Sequence, residues 1–342
     1  MGDRTYENFN KIAQELDKRL LQLGGTRLCK RGEGDANANI EDDFLKWKKT
    51  FFVDLANKFN LSKAEAKLPN RKTNIKTYAN QEEWSAVADT NVEHITKWNV
   101  HGSGKDKDNT YLAEVIPWRE LHTKESDRSC MHIELQAPGL KYVAGDHVGV
   151  FVQNDVTLVH KLAARLKVDL NQVFTWHNND TKELMVGPCT IKAALSELFD
   201  IHTVKKPMLR LFANYTTDEA EKKRLIVLGD DDESTEYNAY IFETERTIFE
   251  VLKDFPGVQP PFDHLLEYLQ RLQARFYSIS SSSNVHKDQI HVTAVLVNYK
   301  TSTGRIHGGI ATSHFQKELS KPKAKVPIFV RTSTFHLPAL TV

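Results

Sequence analysis

Apolar residues recur at helical spacing in two segments near the start of the chain: Phe9, Ile12, Leu16, Leu20 and Leu23, then Phe44, Trp47, Phe51, Leu55 and Phe59. Gly24-Gly25 stops the first helix, Thr26 to Cys29 reads as a short strand, and Gly32 to Asp35 turns the chain. Asn39 is placed to cap the second helix, with Glu41, Asp42 and Asp43 in its first turn. Two amphipathic helices and one strand cannot cover one another as a layered domain does. Residues 1–60 therefore read as the C-terminal end of a larger α/β unit, and the polar stretch 61–108 reads as a linker.

From Thr110 the period changes to two. Met131, Ile133 and Leu135 alternate with His132, Glu134 and Gln136. Strands are expected at Tyr111 to Trp118, Cys130 to Gln136 and Tyr142 to Val152, the last broken by Gly145-Asp146-His147. Short antiparallel strands at this spacing point to a barrel. Residues 155–273 then read as helical, with stripes such as Leu158, Leu162 and Leu166, and helices over Ile191 to Leu198, Met208 to Ala213, Glu219 to Leu228 and Tyr240 to Leu252. Strands resume at Arg275 to Ser280 and Gln289 to Tyr299, a helix starts near Gly309, and a last strand covers Val326 to Arg331. The expected fold is α+β: a barrel from 109–154 and 274–342, with a helical block inserted at 155–273.

Composition changes this picture little. With 46 Lys and Arg against 45 Asp and Glu in 342 residues, the net charge of +1 gives no field that favours nucleic acid or an anionic membrane. Cys29, Cys130 and Cys189 are scattered and odd in number, which fits a reducing, cytoplasmic compartment rather than a disulfide framework. No run of apolar residues is long enough to span a bilayer, and the histidines and cysteines show no metal-ligand spacing, so no metal is expected. Neither a G-x-G-x-x-G nor a P-loop occurs. Glu41, Asp42 and Asp43 read either as a patch for a basic partner or as first-turn acids that offset the helix dipole; the second needs no partner.

The chemistry concentrates in Arg275-Phe276-Tyr277-Ser278-Ile279 and the serines after it. A guanidinium offers a planar fork to a pyrophosphate, an aromatic face stacks on a flavin ring, and a serine hydroxyl reaches the hydride-accepting nitrogen. Gly308-Gly309-Ile310-Ala311-Thr312 offers a glycine-opened helix start with free N–H groups for the same phosphate. Each piece alone reads as an ordinary buried strand or helix start. Neighbours in a regular strand also point to opposite faces, so Tyr277 and Ser278 meet one ligand only if the strand twists or ends there.

Five segments carry a resemblance to the diflavin reductase family over nearly the whole chain: Gly2-Asp3-Arg4-Thr5-Tyr6-Glu7-Asn8-Phe9, Gly145-Asp146-His147-Val148, Arg271-Leu272-Gln273-Ala274-Arg275-Phe276-Tyr277-Ser278-Ile279, Gly309-Ile310-Ala311-Thr312 and Phe329-Val330-Arg331. The resemblance implies an FAD-binding antiparallel barrel of the ferredoxin reductase type with an inserted all-helical connecting domain, preceded by the end of a flavodoxin-like FMN domain. It implies electron flow from NADPH through FAD and FMN to a haem protein such as a cytochrome P-450 or cytochrome c. It further implies a site on the cytosolic face of the endoplasmic reticulum through an anchor outside these residues.

Carried over position by position, Arg275, Phe276, Tyr277 and Ser278 resemble the first FAD segment, with Ser278 as the catalytic contact. Thr293, Ala294, Val295 and Tyr299 resemble the second, and Gly309, Ile310, Ala311 and Thr312 the pyrophosphate loop. Arg119 matches an arginine that reaches NADPH, while Gly2, Tyr6, Asn10 and Asp35 match FMN contacts. Glu245 stands where the family has an arginine for the adenine end, with Arg246 beside it. The resemblance places the FMN phosphate loop before Met1 and the NADPH domain after Val342, so this chain is expected to hold FAD, with incomplete sites for FMN and NADPH. Two other readings stand beside it: the reductase region of nitric oxide synthase, towards which Phe335-His336-Leu337-Pro338 leans, and a non-catalytic FAD-holding or partner-docking fragment.

Overall fold

The computed structural model of the chain describes residues 2–37, 40–61, 71–79, 83, 101–230, 234–319, 321 and 323–334. The expected cap at Asn39, the side chains of Glu41 and Asp42, and the segment 335–338 lie outside what is described.

The N-terminal helices form as the apolar spacing predicts. α1 (Lys11–Gln22) buries none of its residues, and α2 (Ile40–Phe59) stacks Trp47 on Phe51 with ring centroids 5.3 Å apart. The expected strand at Thr26 to Cys29 does not form. An extended segment needs a neighbour for its backbone groups, and side chains fasten this one instead. Arg27 and Arg31 converge on Asp17, Arg31 also meets Glu33, and Trp47 Nε1 donates to the carbonyl of Lys30 at 3.0 Å.

Two strands lie within the stretch read as a linker: β1 (Thr73–Tyr78) and β2 (His101–Asp106). β2 pairs with β3 (Asn109–Glu120), which begins the barrel. β4 (Cys130–Gln136) and β5 (His147–Val150) follow. Met131, Ile133 and Leu135 of β4 are fully buried, as their alternation requires.

The inserted block is not wholly helical. After α3 (Val156–Leu166), whose N-terminus is capped by Asp155, come β6 (Val173–Asn178) and β7 (Leu184–Thr190). With β1 they make a three-stranded antiparallel sheet in the order β1-β6-β7. Phe174, Thr175 and Trp176 are buried in succession, so this strand shows no alternation, and a short apolar run of this kind cannot be told from helix by period alone.

The helices resume with α4 (Ile191–Ala193, continuing as a π-helical turn over Ala194–Leu198), α5 (Lys206–Ala213) and α6 (Glu219–Leu228). α7 (Ser234–Tyr237) runs into a second π-helical turn at Asn238–Phe242. The single helix expected over Tyr240 to Leu252 is broken there. Glu245 takes a left-handed φ of 50°, and Thr247 with Glu250 forms a capping box that opens α8 (Ile248–Asp254). α9 (Phe262–Leu266) closes the block. Its core holds Leu162, Phe174, Leu195, Phe199, Leu209 and Phe212.

The chain then returns to the barrel through β8 (Arg275–Ser278), β9 (Gln289–Val295), the hairpin β10 (Asn298–Lys300) and β11 (Ile306–Gly308), α10 (Ile310–Leu319) and β12 (Lys325–Arg331). The sheet order is β8-β5-β12-β3-β4-β9, and an isolated bridge between Ile279 and Val292 brings its two ends together. Among the described residues no helix is long and apolar enough to cross a membrane.

Candidate flavin-binding site

β8 lies at the seam where the sheet curls on itself. It pairs with β5 from Arg275 to Ser278 and ends there; the next residue, Ile279, bridges Val292 of β9, and Ser280 donates its N–H to the carbonyl of His291. The strand thus ends at Ser278. Asp146, from the Gly-Asp-His motif, pins the seam. Its carbonyl accepts from the N–H of Ile279, and its buried carboxylate accepts from the N–H groups of Val143 and Ser333, each at 3.0 Å.

Alternation sorts the motif into two pairs. Arg275 and Tyr277 are half-buried, Phe276 and Ser278 exposed. Tyr277 packs edge-on against Phe315 of α10 at 5.6 Å, and burial pushes its hydroxyl up to about 12. Phe276 meets Phe329 of β12 at 5.7 Å and lies under the Arg331 guanidinium at 4.8 Å. Gly149 of β5 sits between these two rings; a Cβ there would lie 2.5 Å from Phe329.

The segment from Gly309 to Thr312, expected to meet a pyrophosphate, is stitched to the residues just after β9. Gly309 donates its N–H to the carbonyl of Val297 at 2.8 Å, and the Val297 N–H donates to Thr312 Oγ1 at 3.1 Å. Gly309 leaves room for this approach, since a Cβ would stand 2.8 Å from that of Val297. Ile310, Ala311 and Thr312 make the first turn of α10, whose N–H groups have no acceptor within the helix. Tyr277 and the segment from Gly309 to Thr312 thus both meet α10, while Arg275 stands near His202.

Beside this helix start is a cleft of about 310 Å³ between the connecting block and β11-α10. Its lining includes Asn154, Lys161, His202, Arg305, Ser313 and His314. Asn154 spends both amide hydrogens on the carbonyls of Leu195 and Phe199, at 2.7 Å each, and its buried Oδ1 has no partner. His202 Nε2 is also buried without a partner, and burial first, with Arg275 and His307 among its neighbours, lowers the ring's pKa. The free helix N–H groups beside Lys161 and Arg305 suit a phosphate, while the unpartnered Asn154 Oδ1 can only accept from a donor group of a ligand. Sequence reasoning missed Asn154, Lys161, His202 and His314, which are single residues on four separate stretches with no shared motif.

At the far end of the cleft, the Glu245 carboxylate accepts from the Tyr299 hydroxyl and meets His307 Nδ1 at 2.5 Å. Arg246 is turned away, with its guanidinium 4.2 Å over the Tyr240 ring and bonded to Asp254. Arg305 takes the place at the cleft, bonded to Glu250 and to the carbonyl of Thr244. The guanidinium that lines the cleft is therefore supplied from the β10–β11 hairpin.

Other predicted residues lie apart from this cluster. On β9, Ala294 is in the barrel core while Thr293 and Val295 are exposed; Thr293 pairs in register with His132. Arg119 on β3 pairs with the other side of His132 and is exposed. Gly2, Asn10 and Asp35 come together at the N-terminus: Gly2 bridges Asp35, and the buried Asp35 carboxylate accepts from the N–H groups of Arg4 and Asn37. The Asn10 side chain beside them has both polar atoms buried without partners, and Tyr6 stands exposed in the same turn.

His314 makes stability depend on pH. Burial lowers its pKa from near 6.5 to about 4, with Glu318 opposing and Lys321 and Lys317 adding to the shift. The fold thus prefers the neutral ring. Its contribution is complete above pH 6.5 and is lost as pH falls through 4, about 3 kcal/mol in all. His314→Gln is expected to lose about that much less stability than the parent between pH 7 and pH 4 in urea titrations. Equal losses would show that His314 does not carry the effect.

Residues 103–314 match the family described as FAD binding domain, and residues 1–47 match the flavodoxin family. The chain is 38% identical, over 99% of its length, to the NADPH--cytochrome P450 reductase of Drosophila melanogaster, of which it covers 51%. It is 37% identical to that of Dictyostelium discoideum and 34% identical to that of Cavia porcellus, again over 99% of the chain and 52% of each relative. The chain spans about half the length of the curated relatives it matches.

Proposed function

The chain belongs to the FAD binding domain family, and from that premise we propose that it is the flavin-holding middle of an NADPH-dependent diflavin reductase, passing electrons from NADPH through FAD and FMN to a haem protein. In this reading 109–154 and 274–342 form the FAD barrel, 155–273 connects, and 1–60 carries FMN contacts. The observation that carries it is the cleft beside the start of α10, where Asn154 Oδ1 and His202 Nε2 are buried without partners, Arg275 stands near enough to act on His202, and Tyr277 packs on Phe315 of the same helix.

FAD supplies acceptance of a hydride and release of electrons one at a time. The protein's part is to bind and orient it. The Arg275 fork and the first-turn N–H groups of α10 hold the pyrophosphate; Asn154 Oδ1, His202 and Arg305 line the adenosine side; Tyr277 supports the ring from within the barrel wall. Ser278, exposed at the end of β8, offers its hydroxyl to the hydride-accepting nitrogen. Thr293, Ala294 and Val295 flank the seam, Tyr299 offers an aromatic face at the adenine end, and Arg119 extends towards NADPH. Gly2, Tyr6, Asn10 and Asp35 form the FMN side, where Asp35 positions the loop and the unpartnered Asn10 amide faces the ligand. The electron acceptor is a haem protein such as a cytochrome P-450, and the assembly works on the cytosolic face of the endoplasmic reticulum.

The test is to purify the chain, reconstitute it with FAD, release the bound flavin and identify it by chromatography. One FAD per chain is expected; a folded chain that takes up none would end this reading. Ser278→Ala should keep its FAD and be reduced about 10- to 100-fold more slowly by 1-benzyl-1,4-dihydronicotinamide, the loss of one hydrogen bond at the reacting atom. Loss of FAD from this variant would make the hydroxyl structural instead.

A further inference from the structure

The outer face of β4 and β9 carries a cluster with no part in the reading above. His132 and Glu134 lie two apart on β4 and so project from the same face. Glu134 is directly opposite His291 of β9 in the antiparallel register. One ligand atom from each of the three lies within 4.8 Å of the others, and His132 Nε2 stands 3.5 Å from Glu134 Oε1. With metal–ligand bonds near 2.1 Å, two ligands of a tetrahedral ion are about 3.4 Å apart, so that pair is already at the required edge. His291 is buried, and its ring lies edge-on to His132 at 5.2 Å.

The surroundings orient the ligands. His291 Nε2 meets Gln289 Oε1 at 3.1 Å, while the Gln289 amide nitrogen donates to Gln136 Oε1 at 3.4 Å. With the amide held this way, His291 donates through Nε2 and keeps its Nδ1 lone pair free. A hydrogen bond on the second ring nitrogen is the support that metal-bound histidines use. The His286 ring lies tilted against His291 with centroids 4.3 Å apart. Glu134 contributes the one negative charge, which opposes the nearby Arg119 and offsets part of the charge of a divalent ion.

We propose that His132, Glu134 and His291 form a binding site for a divalent transition metal ion, with Zn2+ the best match to two imidazoles and one carboxylate. Two imidazoles with a carboxylate are a known zinc donor set, and imidazole-rich sites select zinc, nickel and copper over magnesium or calcium. The fourth position is left to water. The site lies beside Arg119 and Thr293, which pair with His132 from the two neighbouring strands.

The test is calorimetric titration of the full 342-residue chain, stripped with chelator, with ZnCl2, alongside visible spectra with Co2+. One ion per chain is expected, with a Kd of about 10 µM or tighter and the intense bands of four-coordinate cobalt. His132→Gln and Glu134→Gln change partly exposed side chains and keep the fold testable by circular dichroism. Each should weaken Zn2+ more than about 100-fold, beyond the 10- to 100-fold expected of the supporting variant Gln289→Leu. Absence of binding to the parent chain overturns the proposal. So does binding of unchanged strength in the folded His132→Gln and Glu134→Gln variants, which would put the ion elsewhere. FAD uptake is measured separately, and its failure leaves this result unaffected.

Discussion

Arg275→Ala is expected to weaken FAD binding by about 10- to 100-fold, the loss of one or two charge-assisted hydrogen bonds to a pyrophosphate. The half-buried guanidinium donates to the carbonyl of Gln273 at 2.6 Å and stands close enough to His202 and Tyr277 to influence both. It is therefore held at the edge of the cleft, on the face of β8 that Tyr277 shares. Truncation removes a charged side chain that is only half-buried, at the first position of β8, rather than one enclosed in a core. The loss should thus show as affinity rather than as unfolding. Arg275→Lys should fall between, since an ammonium keeps the charge but not the planar fork. The measurement is quenching of FAD fluorescence on titration of the flavin-free chain. Equal affinity in the alanine variant would remove Arg275 from the site.

Phe315→Ala should lower stability by about 3–5 kcal/mol, the range for truncating a buried phenylalanine. Phe315 is fully buried in α10 and belongs to the barrel core that includes Met131, Ile133, Leu135 and Val292. It also supports Tyr277 from within. One side chain thus joins the helix that offers its N-terminus to the phosphate and the strand that carries Arg275. Its removal should shift the urea midpoint downward and also raise the FAD dissociation constant, because α10 and β8 lose their common contact. Phe315→Leu, which keeps most of the volume, should cost less than about 1.5 kcal/mol. An unchanged midpoint in the alanine variant would mean that α10 does not rest on the barrel as described.

How much of this was legible in the chain differs by element. β4 was readable to the residue because it is buried on one face only, so Met131, Ile133 and Leu135 alternate with polar neighbours. α6 was readable because Asp218 and Gly229 mark its ends chemically. β6 was not, because burial on both faces erases alternation and leaves only a short apolar run. The break at Glu245 was hidden for a different reason: a capping box at Thr247 and Glu250 competes with helix continuation only when the following turn packs into a core.

By itself the sequence determined the barrel strands on either side of an inserted, largely helical block, and the two motifs on which the flavin reading rests. Each of these rests on local spacing: the period of apolar residues, a glycine before a helix, an arginine two residues from a tyrosine. Only the tertiary structure decided that β8 ends at Ser278, because that follows from the strand exchanging β5 for β9 at the sheet's seam. It alone decided that Arg305 rather than Arg246 faces the cleft, and that Asn154, His202 and His314 line it. It alone set His132, Glu134 and His291 together, since cross-strand register joins residues far apart in the chain that no local pattern connects.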